Sequence, residues 1–305
     1  MTIERDQYRA LIDERVFRPE AFTNALTSRR RRTLAGNDGR LVILAADHTS
    51  RGKISLGSNP LAMADRYTLL DRLVRCLAMP EVDGVLASAD VLEELAWLGA
   101  LDDKLAIGTM NRGGIIGANW ELDDRITAYD VDHVESMGLD GGKTLIRIDY
   151  TDPAVAQTIE TVARVTTELA DRGLMALVEP LPYHKDSSGG AILDTSDDAL
   201  IKVVAIASGL GSSSAYTWLK VPASARMAEI AGATTLPILM LGGEPGGNPD
   251  AIFDLWKDSM REPNVRGVVA GRTLLYPNDN DPEGAVRRAN AVVRSNKSGD
   301  RKVSS

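Results

Sequence analysis

"LDGGKTLIRIDYTDPAVAQTIETVARVTTELADRGLMALVEP", residues 139–180, sets two short apolar runs on either side of one long amphipathic stretch. The runs KTLIRID (143–149) and LMALVEP (174–180) have the length and composition of strands. Between them, 153–172 reads as a helix, and Asp152 before Pro153 is a cap-and-proline pair that starts one. The unit is strand, helix, strand.

The same alternation continues in both directions. RLVILAAD (40–47), DGVLAS (83–88) and KLAIGTM (104–110) precede it; TWLKVP (217–222), PILMLGG (237–243) and RGVVAG (266–271) follow. Helix-like segments fall at 60–79, 89–98, 123–137, 195–208, 223–232, 249–261 and 281–294, with a second cap-and-proline pair at Asn248 and Pro249. Eight strands and eight helices in roughly 260 residues predict an α/β fold, a (β/α)8 TIM barrel. A doubly wound open sheet is the alternative, although it more often has fewer strands and a reversal of strand order.

Residues 1–30 read as one or two extra N-terminal helices that cover the barrel's N-terminal end. The predicted organisation is an N-terminal helical extension (1–36), a barrel catalytic domain (37–296) and a disordered tail (297–305). The basic run Arg29–Arg32, on an acidic chain without interleaved aromatics, is expected to be a solvated helix end or a subunit contact.

A net charge of −8 and an isoelectric point near 5.1 argue against a general nucleic-acid or membrane-surface binder. A basic site for a small anion remains compatible with that balance. The single cysteine, Cys76, lies at helical spacing in LLDRLVRCLAM (69–79) and reads as core; one cysteine also suits a reducing compartment. The N-terminal stretch lacks a signal-peptide core, and no apolar run approaches the roughly 20 residues of a membrane span. A cytoplasmic protein is expected, with no nucleic-acid or membrane partner.

In such barrels the active site lies at the C-terminal ends of the strands. There the sequence places Asp47 and His48, then Lys143, Arg147 and Asp149 on one face of a strand, then Glu179 before Pro180, then Lys220. Each has a plain structural reading: a turn cap, a partner for an arginine, or a lysine that snorkels to solvent. Together, two lysines and two carboxylates facing one barrel are costly unless they neutralise each other or do chemistry. Lys220 stands alone in an uncharged run, the setting of an amine desolvated to attack a carbonyl, and with Lys143 near it its pKa is expected to fall toward neutrality. Gly242, Gly243 and Gly271 leave backbone N–H groups open to an anion, and Arg272 adds a guanidinium, where barrels of this kind often bind phosphate.

These stretches resemble the class I, Schiff-base-forming aldolases of the group that contains deoxyribose-phosphate, archaeal-type fructose-bisphosphate and tagatose-bisphosphate aldolases. The resemblance spans about residues 40–275 and is carried by LAADH (44–48), GLDGGKTLI (138–146), LVEPL (177–181), WLKVP (218–222), LGGEP (241–245) and GVVAGRTLLYP (267–277). The later motifs are most similar to the tagatose-bisphosphate type. The resemblance implies that Lys220 forms the Schiff base and that Glu179 is the acid/base for carbinolamine formation and dehydration. It implies that Lys143 lowers the pKa of Lys220 and assists proton transfer, and that Asp47 handles the hydroxyl proton in carbon–carbon cleavage. Gly242, Gly243, Gly271 and Arg272 would hold a phosphate, with His48 and Arg147 among the substrate contacts. It implies no cofactor, a phosphorylated small-molecule substrate in carbohydrate catabolism, and a homo-oligomer.

Two departures bear on the non-phosphate half of the substrate. DHTSRG (47–52) stands where several relatives have DHG, and Arg147 and Asp149 stand where relatives often have apolar or tyrosine residues. A family of this kind occurs in actinobacterial inositol degradation, splitting a deoxy-keto-gluconate phosphate, and Arg147 and Arg51 would suit such an acid. Other readings of the same residues are a transaldolase- or thiolase-like enzyme, or a phosphate-binding barrel without catalysis. A metal-dependent aldolase would need His48, His133 and His184 to converge, and no ligand-like spacing supports that.

Overall fold

In the computed structural model, residues 2–111, 114–118, 120–187, 189–243 and 248–295 are described. The expected tail at 297–305 and the GEPGG stretch beyond Gly243 fall outside them, apart from Gly243 itself. Nine strands form: β1 Leu41–Ala45, β2 Gly84–Ala87, β3 Leu105–Thr109, β4 Gly141–Ile148, β5 Met175–Lys185, β6 Ala191–Leu193, β7 Thr217–Pro222, β8 Ile238–Leu241 and β9 Val265–Ala270. Eight of them pair in parallel in chain order, and β9 pairs back onto β1. This closes a (β/α)8 TIM barrel.

β6 is an addition to the eight expected strands. It pairs antiparallel with the end of β5, which runs past the barrel wall to Lys185. Pro180 and Pro182 would ordinarily stop a strand. The Ala176 N–H donates toward the β7 side, so the even-numbered residues of β5 turn their nitrogens that way. Pairing with β7 stops at Val178 and Leu219, so neither proline owes a ladder bond there.

Helix positions follow the sequence reading closely in six places: Ala89–Trp97, Ala154–Asp171, Asp197–Ser208, Pro249–Ser259, Pro282–Arg294 and, trimmed at its start, Arg66–Leu77. Asn248 caps its helix by accepting from the Asp250 N–H. The expected helix 123–137 is reduced to Val131–Ser136, and 223–232 to Met227–Gly232. The first loss has a clear cause. Thr127 and Ala128 donate to the Met110 carbonyl and Tyr129 to that of Thr109, so the chain lies along the end of β3 until Asp130 caps the short helix. No helix among the described residues is long and apolar enough to cross a membrane. Cys76 is buried, and burial pushes its thiol up to about 12, as befits a core residue.

Strand alternation separates two apolar regions. Leu41, Ile43, Leu86, Leu105, Ile107, Met175, Leu177, Trp218, Leu239 and Val269 fill the inside of the barrel, while their even or odd neighbours pack under the helices. Gly84 and Gly141 start β2 and β4, and a Cβ on either would collide with the carbonyl of Leu105 or Met175 on the next strand. Close strand approach at the narrow end requires glycine there.

The N-terminal helices Arg5–Phe17 and Glu20–Ser28 flank the barrel instead of covering its end. Arg15 pairs with Glu93 at 2.6 Å and Phe22 stacks on Trp97, both on the helix Ala89–Trp97. It is the basic run that closes the N-terminal end of the barrel. Arg29 pairs with Asp140 at 2.6 Å, Arg31 donates to the same carboxylate at 3.1 Å, and Arg32 pairs with Asp83 at 2.8 Å. Each aspartate also accepts the N–H of a neighbouring strand, Val42 for Asp83 and Ala106 for Asp140. Arg29 is therefore buried with its partner and is no solvated helix end, whereas Arg30 and Arg31 are exposed.

Breaking a buried pair costs more than an exposed one. Asp140→Ala should destabilise the fold by about 3–5 kcal/mol, because Arg29 is left without its carboxylate and the Ala106 N–H without its acceptor. Urea unfolding measures it. Arg9→Ala, which loses only the exposed pair with Asp6, should leave the midpoint unchanged.

Candidate active site

Asp47 follows β1, Lys143 lies on β4 level with Thr109 at the end of β3, Glu179 lies on β5 and Lys220 on β7. All have the parity of the inward-facing apolar residues below them, Ile43 and Ala45, Leu177, and Trp218. Their side chains meet. Glu179 pairs with both lysines: Lys220 Nζ is 3.1 Å from Oε1, and Lys143 Nζ is in contact with Oε2. Lys143 Nζ is also 3.5 Å from Asp47 Oδ2, to which the Thr109 hydroxyl comes equally close.

None of the four is more than 7% exposed. Two ammonium and two carboxylate groups in one enclosed cluster carry no net charge, which is what keeps their burial tolerable. Among the described residues no group of three or more His, Cys, Asp and Glu is arranged to hold a metal ion. His133 is exposed and bonded to Asp130, and His184 is on the exposed end of β5.

Gly242 and Gly271 follow β8 and β9, and both sit against neighbours that leave no room for a Cβ. At Gly242 it would lie 2.6 Å from the Thr273 hydroxyl, which itself donates to the Gly242 carbonyl at 3.0 Å. At Gly271 it would collide with the Ala45 carbonyl and the His48 ring. Gly243 has φ +68°, the left-handed region. Arg272 begins the short helix Arg272–Leu275 and is buried.

Arg147 has a different place from the one expected. It is fully buried, and Nε and Nη2 form a fork on Asp124 at 2.9 and 2.7 Å. Nη1 reaches Glu121 Oε1 at 3.2 Å, and Nη2 also bonds the Glu121 carbonyl. Arg51 joins the same cluster, 3.5 Å from Glu121 Oε1 and donating to the Gly114 carbonyl at 3.0 Å. A Cβ at Gly114 would collide with the Arg147 guanidinium and the Glu121 carbonyl. Burial opposes the charge on Arg147, but the hydrogen bonds and charge of Asp124 outweigh it and hold its pKa above the ordinary arginine value. Burial raises Asp124 against the pull of Arg147, and it raises Tyr183, whose ring lies 5.5 Å from the guanidinium. Arg147 thus fastens Glu121 and Asp124 to β4, and Arg51, in the turn after β1, holds Gly114 and Glu121. Asp149 bonds the Thr151 N–H and hydroxyl at 2.8 and 2.7 Å, as a turn cap does.

Sequence reasoning missed Thr109, Asn111, Glu121 and Asp124. Thr109 has the inward parity of its strand and could have been found that way. Glu121 and Asp124 belong to a loop whose return to the barrel has no sequence signature, and Asp124 was expected on a helix.

Fold and site together define a closed α/β barrel with a carboxylate-bridged lysine pair inside it. Over residues 39–290 the chain matches the family model described as Cgl0159-like, and it belongs to that family. It is similar to the crystal structure of Cgl0159 from Corynebacterium glutamicum (Brevibacterium flavum), with 44% identity and a TM-score of 0.93 over 96% of this chain and 98% of that one. An archaeal fructose 1,6-bisphosphate aldolase superposes with a TM-score of 0.64 at 19% identity over 89% of this chain and 98% of that one. A further archaeal fructose-1,6-bisphosphate aldolase structure has its catalytic lysine covalently bound to the carbinolamine intermediate. It superposes with a TM-score of 0.63 at 20% identity, covering 89% of this chain and 99% of that one. At such identities the likeness is one of fold. No curated protein sequence matches the chain.

Proposed function

We propose that this protein is a class I aldolase that makes or breaks a carbon–carbon bond in a phosphorylated keto-sugar or keto-sugar acid through a Schiff base on Lys220. The observation that carries the reading is Glu179, bridging Lys220 and Lys143 inside the barrel. A structural ion pair needs one lysine. A second amine within reach of the same carboxylate, at the sealed centre of a barrel, suits covalent chemistry with a carbonyl.

Each group then has one task. Lys220 passes a proton to Glu179, and its free amine attacks the ketone carbon to give a carbinolamine. Glu179 returns a proton to the carbinolamine hydroxyl, which leaves as water, and the iminium remains. Asp47 takes the proton of the hydroxyl on the carbon to be released. That C–O closes to a carbonyl, the carbon–carbon bond breaks, and its electron pair moves into the iminium to form an enamine. After the aldehyde departs, protonation of the enamine carbon and hydrolysis of the iminium regenerate Lys220. Lys143 stays a cation between Asp47 and Glu179 and steadies both carboxylates. The turns at Gly242, Gly243 and Gly271, with Arg272 and His48, are the proposed phosphate end. Arg147 acts on the far side by holding the 114–124 loop, and direct contact with substrate is not part of its role.

Arginine cannot lose its proton and act as a nucleophile. Lys220→Arg should therefore fold, form no borohydride-trappable adduct with a phosphorylated ketose, and lose all turnover. Asp47→Asn should still form the adduct but cleave it more slowly by a factor on the order of 10²–10⁴. Trapping and single-turnover cleavage assays separate the two steps; normal cleavage by Asp47→Asn would remove Asp47 from the mechanism.

Arg272→Ala should raise KM for the phosphorylated substrate by the equivalent of roughly 2–4 kcal/mol, the worth of a charge-assisted contact. An unphosphorylated analogue should be nearly indifferent. Equal losses on both would place the phosphate elsewhere.

A further inference from the structure

At Thr109 and Lys143 the pairing of β3 with β4 ends, because β3 leaves the barrel wall while β4 runs on to Ile148. Met110 N–H donates to the Lys143 carbonyl at 2.9 Å, so the odd-numbered residues of β4 turn their backbone groups to the β3 side. The next of these, Leu145, is buried, and its N–H and C=O face a position that none of the described strands occupies. Buried backbone groups left without partners are costly.

The side chain of Asn111 takes the strand's place. Leu145 N–H donates to Asn111 Oδ1 at 2.6 Å, and Asn111 Nδ2 donates to the Leu145 carbonyl at 2.6 Å. Nδ2 also donates to the Asp124 carbonyl at 3.0 Å, on the segment whose carboxylate holds Arg147. Asn111 is fully buried. One amide thus braces β4 immediately beyond Lys143 and ties it to the loop clamped by the next inward residue but one.

We infer that Asn111 is a positioning residue: it fixes the stretch of β4 that carries Lys143, and so sets the Lys143 ammonium between Asp47 and Glu179. Its functional meaning rests on the Schiff-base reading of the site. Asparagine alone supplies an acceptor and two donors in this plane at this length. Aspartate has the same shape but turns an oxygen toward two carbonyls.

The test is Asn111→Asp, assayed with a phosphorylated ketose. The expected result is a fall in kcat of roughly 10²-fold, the effect of a small misplacement near the chemistry. KM should change by less than about threefold, because the proposed phosphate end lies on β8 and β9. In a Lys143→Met background the same substitution should cost almost nothing more, since Asn111 acts through Lys143; a merely structural role would add its loss in both backgrounds. The crystal structure of N111D should have Lys143 Nζ withdrawn from Asp47 and Glu179. If N111D does not fold, Asn111→Ser, which removes the amide without adding charge, carries the same comparisons. Unchanged kcat, losses that multiply across the two backgrounds, or an unmoved Lys143 in the variant crystal would each overturn the inference. A wild-type protein that forms no adduct with any phosphorylated ketose would overturn the Schiff-base reading instead. The position of Lys143 in the variant crystal would then decide the role of Asn111 by itself.

Discussion

Glu179 holds two lysines at once, and the arrangement of the barrel centre follows from that sharing. Two unit charges 4 Å apart interact by about 4 kcal/mol at an effective dielectric constant of 20. Two ammonium groups brought to one buried site therefore need carboxylates placed between them. Glu179 contacts both lysines and Asp47 lies 3.5 Å from Lys143, so a chain of alternating charge runs from β1 through β4 and β5 to β7. The parallel register makes this possible, because paired residues share a face: Lys143 pairs with Leu177, and Glu179 is the next inward residue along β5.

The cost of such a centre is met by rigidity on both sides of it. Below, apolar side chains fill the barrel, and its narrow end is closed by aspartates that each hold arginines and a strand N–H. Above, Arg147 and Arg51 hold the 114–124 loop, and Asn111 completes the wall where β3 departs. The two arginine systems have different parts: one seals the closed end of the barrel, and the other fastens a loop at its mouth. The first lies at the end of the barrel away from the lysine pair, and the second lies on the side of the mouth next to Lys143.

Much of this was legible in the sequence. The strands stood out because each is a short apolar run closed by glycine, proline or a charge, and their inward parity brought Asp47, Lys143, Glu179 and Lys220 to one place. What was hidden depends on backbone that has no period. Segment 123–130 has helix-forming composition, yet it lies along β3 because three of its N–H groups reach the Met110 and Thr109 carbonyls. Arg147 has the inward parity of a substrate contact, and only the return of Glu121 and Asp124 turns it into an anchor. Asn111 looks like any polar residue after a strand, since a side chain that imitates a strand leaves no pattern of its own. The basic run at 29–32 shows the same limit, because its acidic partners lie 51 to 111 residues away.

Of the two lysines on Glu179, Lys220 is the one proposed to become covalently bound. Peptide mapping by mass spectrometry of the wild-type protein, reduced with borohydride in the presence of phosphorylated ketoses, tests it most directly. An added mass is expected on the peptide containing Lys220, equal to the ketose phosphate, or to the ketone fragment left after cleavage, less one oxygen atom. A label on Lys143, or none with any ketose phosphate while the protein still turns one over, would contradict it.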